Sequence, residues 1–160
     1  MISRMTILDK TVSSSNVMFN VKNTGYNEMY KNILCAIDIS YENEIILDKT
    51  SEITIKYNAK MSILHVIENC FLSIDQQKKL KNDVMPEINK IADDYNVLKK
   101  NLHVIFGQAY ISICDLSEKH KVDLVVLGSH GGSGVQAFLG STATGVLNHA
   151  KCDVLLINLR

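Results

Sequence analysis

Apolar and polar positions follow two different rhythms along this chain, and the change of rhythm marks out its elements. Short, largely apolar runs cover residues 33–37, 61–67, 102–106, 123–127 and 154–157. Between them, mostly apolar positions return every three or four residues. They are Ile46, Thr50, Ile53 and Tyr57; then Leu80, Val84, Ile88, Ile91 and Tyr95; then Ala109, Ile113 and Leu116; then Val146, Leu147 and Ala150. A run that is apolar on both faces predicts a buried strand, and the 3.6-residue period predicts a helix with one face in the core. Five such strands alternating with four helices predict an α/β domain: an open, doubly wound, five-stranded parallel sheet with helices on both faces and right-handed crossovers.

In sheets of this kind ligands sit beyond the carboxyl ends of the strands, near the point where the strand order reverses. Chemistry is therefore expected just after Ile37, Ile67, Phe106 and Leu127, and Asp38, Gly107 and Gly128 stand in those places. The densest signal runs from Gly128 to Thr142, a stretch with five glycines that leads into a helix start. Glycines let backbone amides turn toward one point, and a helix N-terminus adds unpaired N–H groups and the positive end of its dipole. That makes an anion cradle without charged side chains. The alternative is a flexible connection in which Ser141 or Thr142 is an ordinary N-cap.

Other glycine motifs fit less well. No GxxxxGK[ST] occurs, so the P-loop with its lysine is excluded. Gly132, Gly134 and Ala137 match GxGxxA, but Asp153 would open the following strand where the dinucleotide fingerprint needs an acid at its far end. Asp38 is suited to accept from a ribose hydroxyl or an adenine amino group, or to help hold Mg²⁺. Capping the first helix or closing an Asx turn is its alternative role. Sharing one sheet end with the glycine loop favours the ligand role. The acidic cluster and late-strand lysine of a receiver domain are not visible. His65, within an apolar strand, reads as a core residue, whereas His130 in the loop is placed to face a phosphate. With no GxSxG and no paired carboxylates, no catalytic residue is assigned. Lys78, Lys79, Lys81, Lys99 and Lys100 read as solvated helix faces and ends.

Composition narrows the partners. Seventeen Lys plus Arg balance seventeen Asp plus Glu over 160 residues, which argues against a nucleic-acid or anionic-membrane binder acting through its overall field. Fifteen of the seventeen bases are Lys, and the arginines, Arg4 and Arg160, stand at the two ends, so bidentate Arg recognition of phosphate is missing from the body of the chain. Trp is absent and Pro86 is the sole proline, which leaves no stacking platform of tryptophans and no Pro-rich linker. Cys35, Cys70, Cys114 and Cys152 are spread without zinc-ligand spacing, so no metal site is assigned, and three lie in apolar runs, as reduced thiols do. A signal-peptide apolar region and a membrane-length apolar stretch are both missing, and the expected location is the cytoplasm. Residues 1–29, with serines at 13–15 and little periodicity, read as a flexible extension in which residues 17–21 could add an edge strand; residues 30–160 form the domain.

Four separated motifs then point to a family. Tyr30-Lys-Asn-Ile-Leu-Cys-Ala-Ile-Asp-Ile-Ser40, Asn58-Ala-Lys-Met-Ser-Ile-Leu-His-Val66, Val122-Asp-Leu-Val-Val-Leu-Gly-Ser-His-Gly131 and Leu139-Gly-Ser141, in that order, resemble the universal stress protein family. The resemblance spans about residues 30–160. It implies the adenine nucleotide alpha hydrolase-like fold, a cytoplasmic homodimer acting in stress response and, in one branch, an ATP or AMP site with Mg²⁺ as a companion ion. Carried over by position, Asp38 would contact ribose or adenine, and the Val66 backbone would read the adenine edge. Gly128, His130, Gly131, Gly140, Ser141 and Thr142 would surround ribose and phosphates. The family dimer pairs last strands, here Val154 to Ile157. One departure stands out: eight residues separate Gly131 from Gly140, where the nucleotide-binding pattern has nine. The expectation is a nucleotide-binding module with at most slow ATP hydrolysis. A nucleotide-free dimeric interaction protein with a structural glycine loop is the second reading. An ATP-consuming transferase ranks last, for want of HIGH or SGGxDS signatures.

Overall fold

The computed structural model describes residues 29–39, 43–68, 72–129 and 139–158. Its elements are β1 (Asn32–Ile37), α1 (Asn43–Tyr57), β2 (Lys60–Ile67), α2 (Ile74–Asp94), β3 (Leu102–Phe106), α3 (Ala109–Lys119), β4 (Leu124–Gly128), α4 (Ser141–His149) and β5 (Asp153–Ile157). The expected extension, with residues 17–21, lies outside the described residues.

All four strand pairings are parallel, and the sheet order is β3-β2-β1-β4-β5. The central strands β1, β2 and β4 are largely apolar because both of their faces are covered. On one face Ile33, Cys35 and Ile37 of β1, with Ile63 and Val126, meet Ile46 and Leu47 of α1 and Ile88 and Ala92 of α2. The alternate residues Leu34, Ala36, Leu64, Val125 and Leu127 meet Ile113 and Leu116 of α3 and Ala143 and Val146 of α4. Ile63, Leu64, Val125 and Val126 are each 0% exposed, so each contributes the full burial term, roughly 1.5–3 kcal/mol per side chain. Cys35 is buried with them, and burial pushes its thiol up to about 12. Cys114 and Cys152 are only half-buried, against the expectation of buried thiols in apolar runs, and Cys70 falls outside the described residues.

Three helices end in the same way, by a device the periodicity did not reveal. The amides of Ala59, Val97 and Val122 donate back five residues to the carbonyls of Thr54, Ala92 and Ser117, at 2.9, 2.7 and 2.9 Å. The residues before them, Asn58, Asn96 and Lys121, take φ of 50, 55 and 53° and donate back three residues. This is the Schellman closure, in which a left-handed residue turns the chain and the next apolar residue drops onto the core. Val97 and Val122 are buried accordingly. The start of α2 is equally local: Ser73 and Gln76 form a capping box.

Side chains also tie the amino-terminal edge of the sheet. Asp123, expected inside β4, lies just before it, and its Oδ2 accepts from the amides of Lys31 and Asn32, both at 2.8 Å. Tyr30 donates to Asp153 Oδ2 at 3.0 Å, which joins the starts of β1 and β5. At the same edge His103 of β3 meets His120 after α3, ring centroids 5.0 Å apart. Burial, then the charges of His120, Lys60 and Lys119, hold the His103 imidazole below its ordinary 6.5. A histidine depressed in the folded state stabilises the fold while neutral, and that contribution is lost as pH falls from about 6.5 through the folded value. The urea midpoint should therefore fall between pH 7 and pH 5, less steeply in His103→Gln than in the parent. An unchanged slope in the variant would remove His103 from the account of acid sensitivity.

Candidate functional site

The chain runs outward from β1 to β3 and then returns to place β4 on the other side of β1. That reversal puts the switch point between β1 and β4, and at the carboxyl ends of these strands opens a cleft of about 430 Å³. Ala36 and Ile37 of β1, Leu64 and Val66 of β2 and Leu127 of β4 form its floor. Asp38, Glu68, Gly128 and Ser129, at or just beyond the strand ends, form the rim. The starts of α3 and α4 wall it, through Ala109 on one side and Gly140 to Ala143 on the other.

Six of the eight residues singled out from the sequence therefore meet around one cavity: Asp38, Val66, Gly128, Gly140, Ser141 and Thr142. His130 and Gly131 lie outside the described residues. Asp38 is exposed at the rim, and its carbonyl oxygen accepts from Asn43 Nδ2. Ile39, the residue after Asp38, is not helical, so Asp38 does not cap α1. His65 is buried in the floor strand with Nδ1 3.2 Å from the Ile37 carbonyl oxygen, so that nitrogen carries the proton and donates. This is a satisfied core histidine, as its place in an apolar run suggested.

The glycine stretch is clipped at both ends. Ser129 donates its amide to Ile157 O at 2.9 Å, and its own carbonyl accepts from Gly140 N at 3.0 Å. The exit of β4 is thereby held against the entry to α4. The N-cap of α4 is Gly140, not Ser141 or Thr142, and it makes no side-chain cap bond. Its carbonyl accepts from Thr144 N at 2.9 Å, closing the first helical turn. The amides of Ser141, Thr142 and Ala143 have no acceptor within the helix, and the dipole adds about half a positive charge where they point. A side-chain oxygen at the cap would have taken one of these donors; glycine leaves them to whatever fills the cleft.

Two cleft residues were not anticipated. Glu68 Oε1 accepts from Ala109 N at 2.7 Å, capping α3, whose own cap residue Gln108 makes no such bond. The available signal was its place: Glu68 follows β2 as Asp38 follows β1. Ser129 acts through its backbone, which no side-chain pattern discloses. No Lys or Arg lines the cleft among the described residues.

A family model described as the universal stress protein family matches residues 29–158. Universal stress protein A homolog 1 of Coxiella burnetii is 28% identical over 138 residues, covering 80% of this chain and 96% of the relative. The solved structure of universal stress protein UspA from Lactobacillus plantarum is 25% identical, with a TM-score of 0.65, covering 82% of this chain and 99% of that one. A universal stress protein solved in complex with cAMP is 21% identical and shares the fold, with a TM-score of 0.63 over 83% of this chain and 100% of its own. With the parallel five-stranded sheet and four motifs in family order, these matches establish that the chain belongs to the universal stress protein family.

Proposed function

We propose that this universal stress protein is a cytoplasmic, dimeric binding module for an adenine nucleotide, ATP or AMP, and that the switch-point cleft is its site. The observation that carries the reading is the start of α4: a helix with a glycine cap, whose first residues line a 430 Å³ cleft that Asp38 and Val66 also line. The volume suits a mononucleotide. In this reading the phosphates lie on the amides of Ser141, Thr142 and Ala143, ribose or adenine reaches the Asp38 carboxylate, and the Val66 backbone reads the adenine edge. Gly128 lets the ligand approach the end of β4, and His130 and Gly131, outside the described residues, are proposed as further phosphate contacts. A universal stress protein of the same fold, solved in complex with cAMP, supports a nucleotide as the ligand class.

Mg²⁺ would arrive with the phosphates. It is commonly held by one or two carboxylates plus phosphate oxygens, and Asp38 supplies such a carboxylate. No group of three His, Cys, Asp or Glu able to hold a metal occurs among the described residues, and in this reading phosphate oxygens and water complete the ion's shell. Turnover is expected to be slow, because no arginine lies between Arg4 and Arg160 to stabilise a transferring phosphoryl group. The dimer is proposed through β5, which pairs only with β4 among the described strands and leaves Val154, Leu155 and Leu156 half-buried at the sheet edge.

Calorimetry with ATP and Mg²⁺ tests the reading. A dissociation constant below about 100 μM is expected, on the affinity scale where that corresponds to about 5.5 kcal/mol. No heat at millimolar nucleotide would leave the nucleotide-free interaction protein as the better account.

A further inference from the structure

The two helices that point their N-termini into the cleft are finished differently. At α3 the first amide, Ala109 N–H, is taken by Glu68 Oε1 at 2.7 Å, a side chain from the end of β2 and 41 residues earlier in the chain. At α4 the cap is Gly140, which has no side chain to offer. One helix end holds a carboxylate of the chain's own; the other has no side chain of its own at its cap.

Charge in the cleft is one-sided as well. Asp38 and Glu68 line it, and no Lys or Arg does among the described residues. The sequence extends this to the segments that follow β1, β2, β3 and β4: residues 38–48, 68–77, 107–118 and 128–150 contain neither Lys nor Arg. Nothing cationic is therefore available from these segments to offset Glu68, whose side chain is exposed at the rim.

Resting on the nucleotide reading, we propose that Glu68 is a specificity-determining residue of this cleft. Its carboxylate fills the α3 end, confines the ligand's anionic group to α4, and lowers affinity with each negative charge the ligand adds. Among adenine nucleotides the cleft then disfavours a Mg²⁺-free triphosphate relative to a monophosphate. The size of the effect follows from Coulomb's law. In surroundings close to water, a carboxylate about 10 Å from the phosphates changes affinity about twofold per unit of ligand charge at low salt.

Glu68→Gln isolates the charge, because Gln keeps an Oε1 acceptor for Ala109. Calorimetry at low salt would compare adenosine, AMP, ADP and Mg²⁺-free ATP. The variant should bind adenosine as the parent does, within about twofold, and gain steadily along the series to about fifteenfold for ATP. The gain should shrink at high salt. Glu52→Gln, exposed on α1, should show no such gradient. An equal gain for adenosine and ATP, or weaker binding throughout, would overturn the proposal, since Glu68 would then act by shape or as a ligand contact. Should the parent bind none of the four, the nucleotide reading fails and inorganic pyrophosphate carries the test of Glu68. Greater thermal protection of Glu68→Gln than of the parent supports the charge role, and equal protection overturns it.

Discussion

Gly145→Val is expected to lower stability by about 2–3 kcal/mol, and so the melting temperature by about 5–10 °C, the largest loss we predict for a single added side chain. A Cβ at position 145 would lie 2.5 Å from Tyr110 Cγ and 2.7 Å from Tyr110 Cβ. The Tyr110 Cβ is fixed by the backbone, and no rotamer change can carry it away. The ring also packs along α4, 5.4 Å from that of His149, whose Nδ1 is 2.8 Å from the Gly145 carbonyl oxygen. The α3–α4 crossing is therefore as close as a glycine allows. It matters for the site because Tyr110 follows Ala109, and Ala109 and the start of α4 form opposing walls of the cleft. Thermal melts of Gly145→Val, Tyr110→Ala and the double variant would measure it. In the Gly145→Val background, removal of the ring should cost less than it does alone. A melting temperature unchanged in Gly145→Val would show that the two helices are free to move apart.

The second large effect separates binding from stability. Ser141→Glu places a carboxylate on the first residue of α4, where the amides of the first turn are free of intrahelical partners. Acidic residues in a first turn complement the dipole, so the fold should keep its stability or gain a few tenths of a kcal/mol. The added carboxylate would sit where the phosphates are proposed to bind, copying at α4 what Glu68 does at α3. Nucleotide affinity by calorimetry should fall at least tenfold, about 1.4 kcal/mol. An affinity equal to the parent's would move the anion away from α4.

The sheet was legible because five apolar runs have no other economical explanation than strands covered on both sides, and the helices because their stripes must face that sheet. The cleft end was legible from Asp38 and Gly128, which stand where the strand ends point. Boundaries were harder. Asn58, Asn96 and Lys121 look like surface residues, and only their left-handed backbone shows them to be helix closures. Asp123 looked like the first strand residue because it adjoins an apolar run, yet its carboxylate serves two amides of the neighbouring segment 91 and 92 residues away. Gly140 displaced Ser141 and Thr142 as the cap of α4, since serine and threonine carry the stronger capping preference but glycine leaves the amides open. Glu68 went unnoticed because its partner, Ala109, is brought to it by the fold alone. Side-chain type predicts little about such long-range bonds to backbone, and in this protein they shape the cleft.

The central claim is that an adenine nucleotide binds at the switch point with its phosphates on the start of α4. Backbone amide chemical shifts of the isotopically labelled protein, followed as ATP with Mg²⁺ is added, test it most directly. The largest shifts are expected at Ser141, Thr142 and Ala143, with accompanying shifts at Asp38 and Val66 and none along the amino-terminal edge at Lys31, Asp123 or Asp153. Saturating shifts elsewhere, or no shifts at millimolar nucleotide, would contradict the claim.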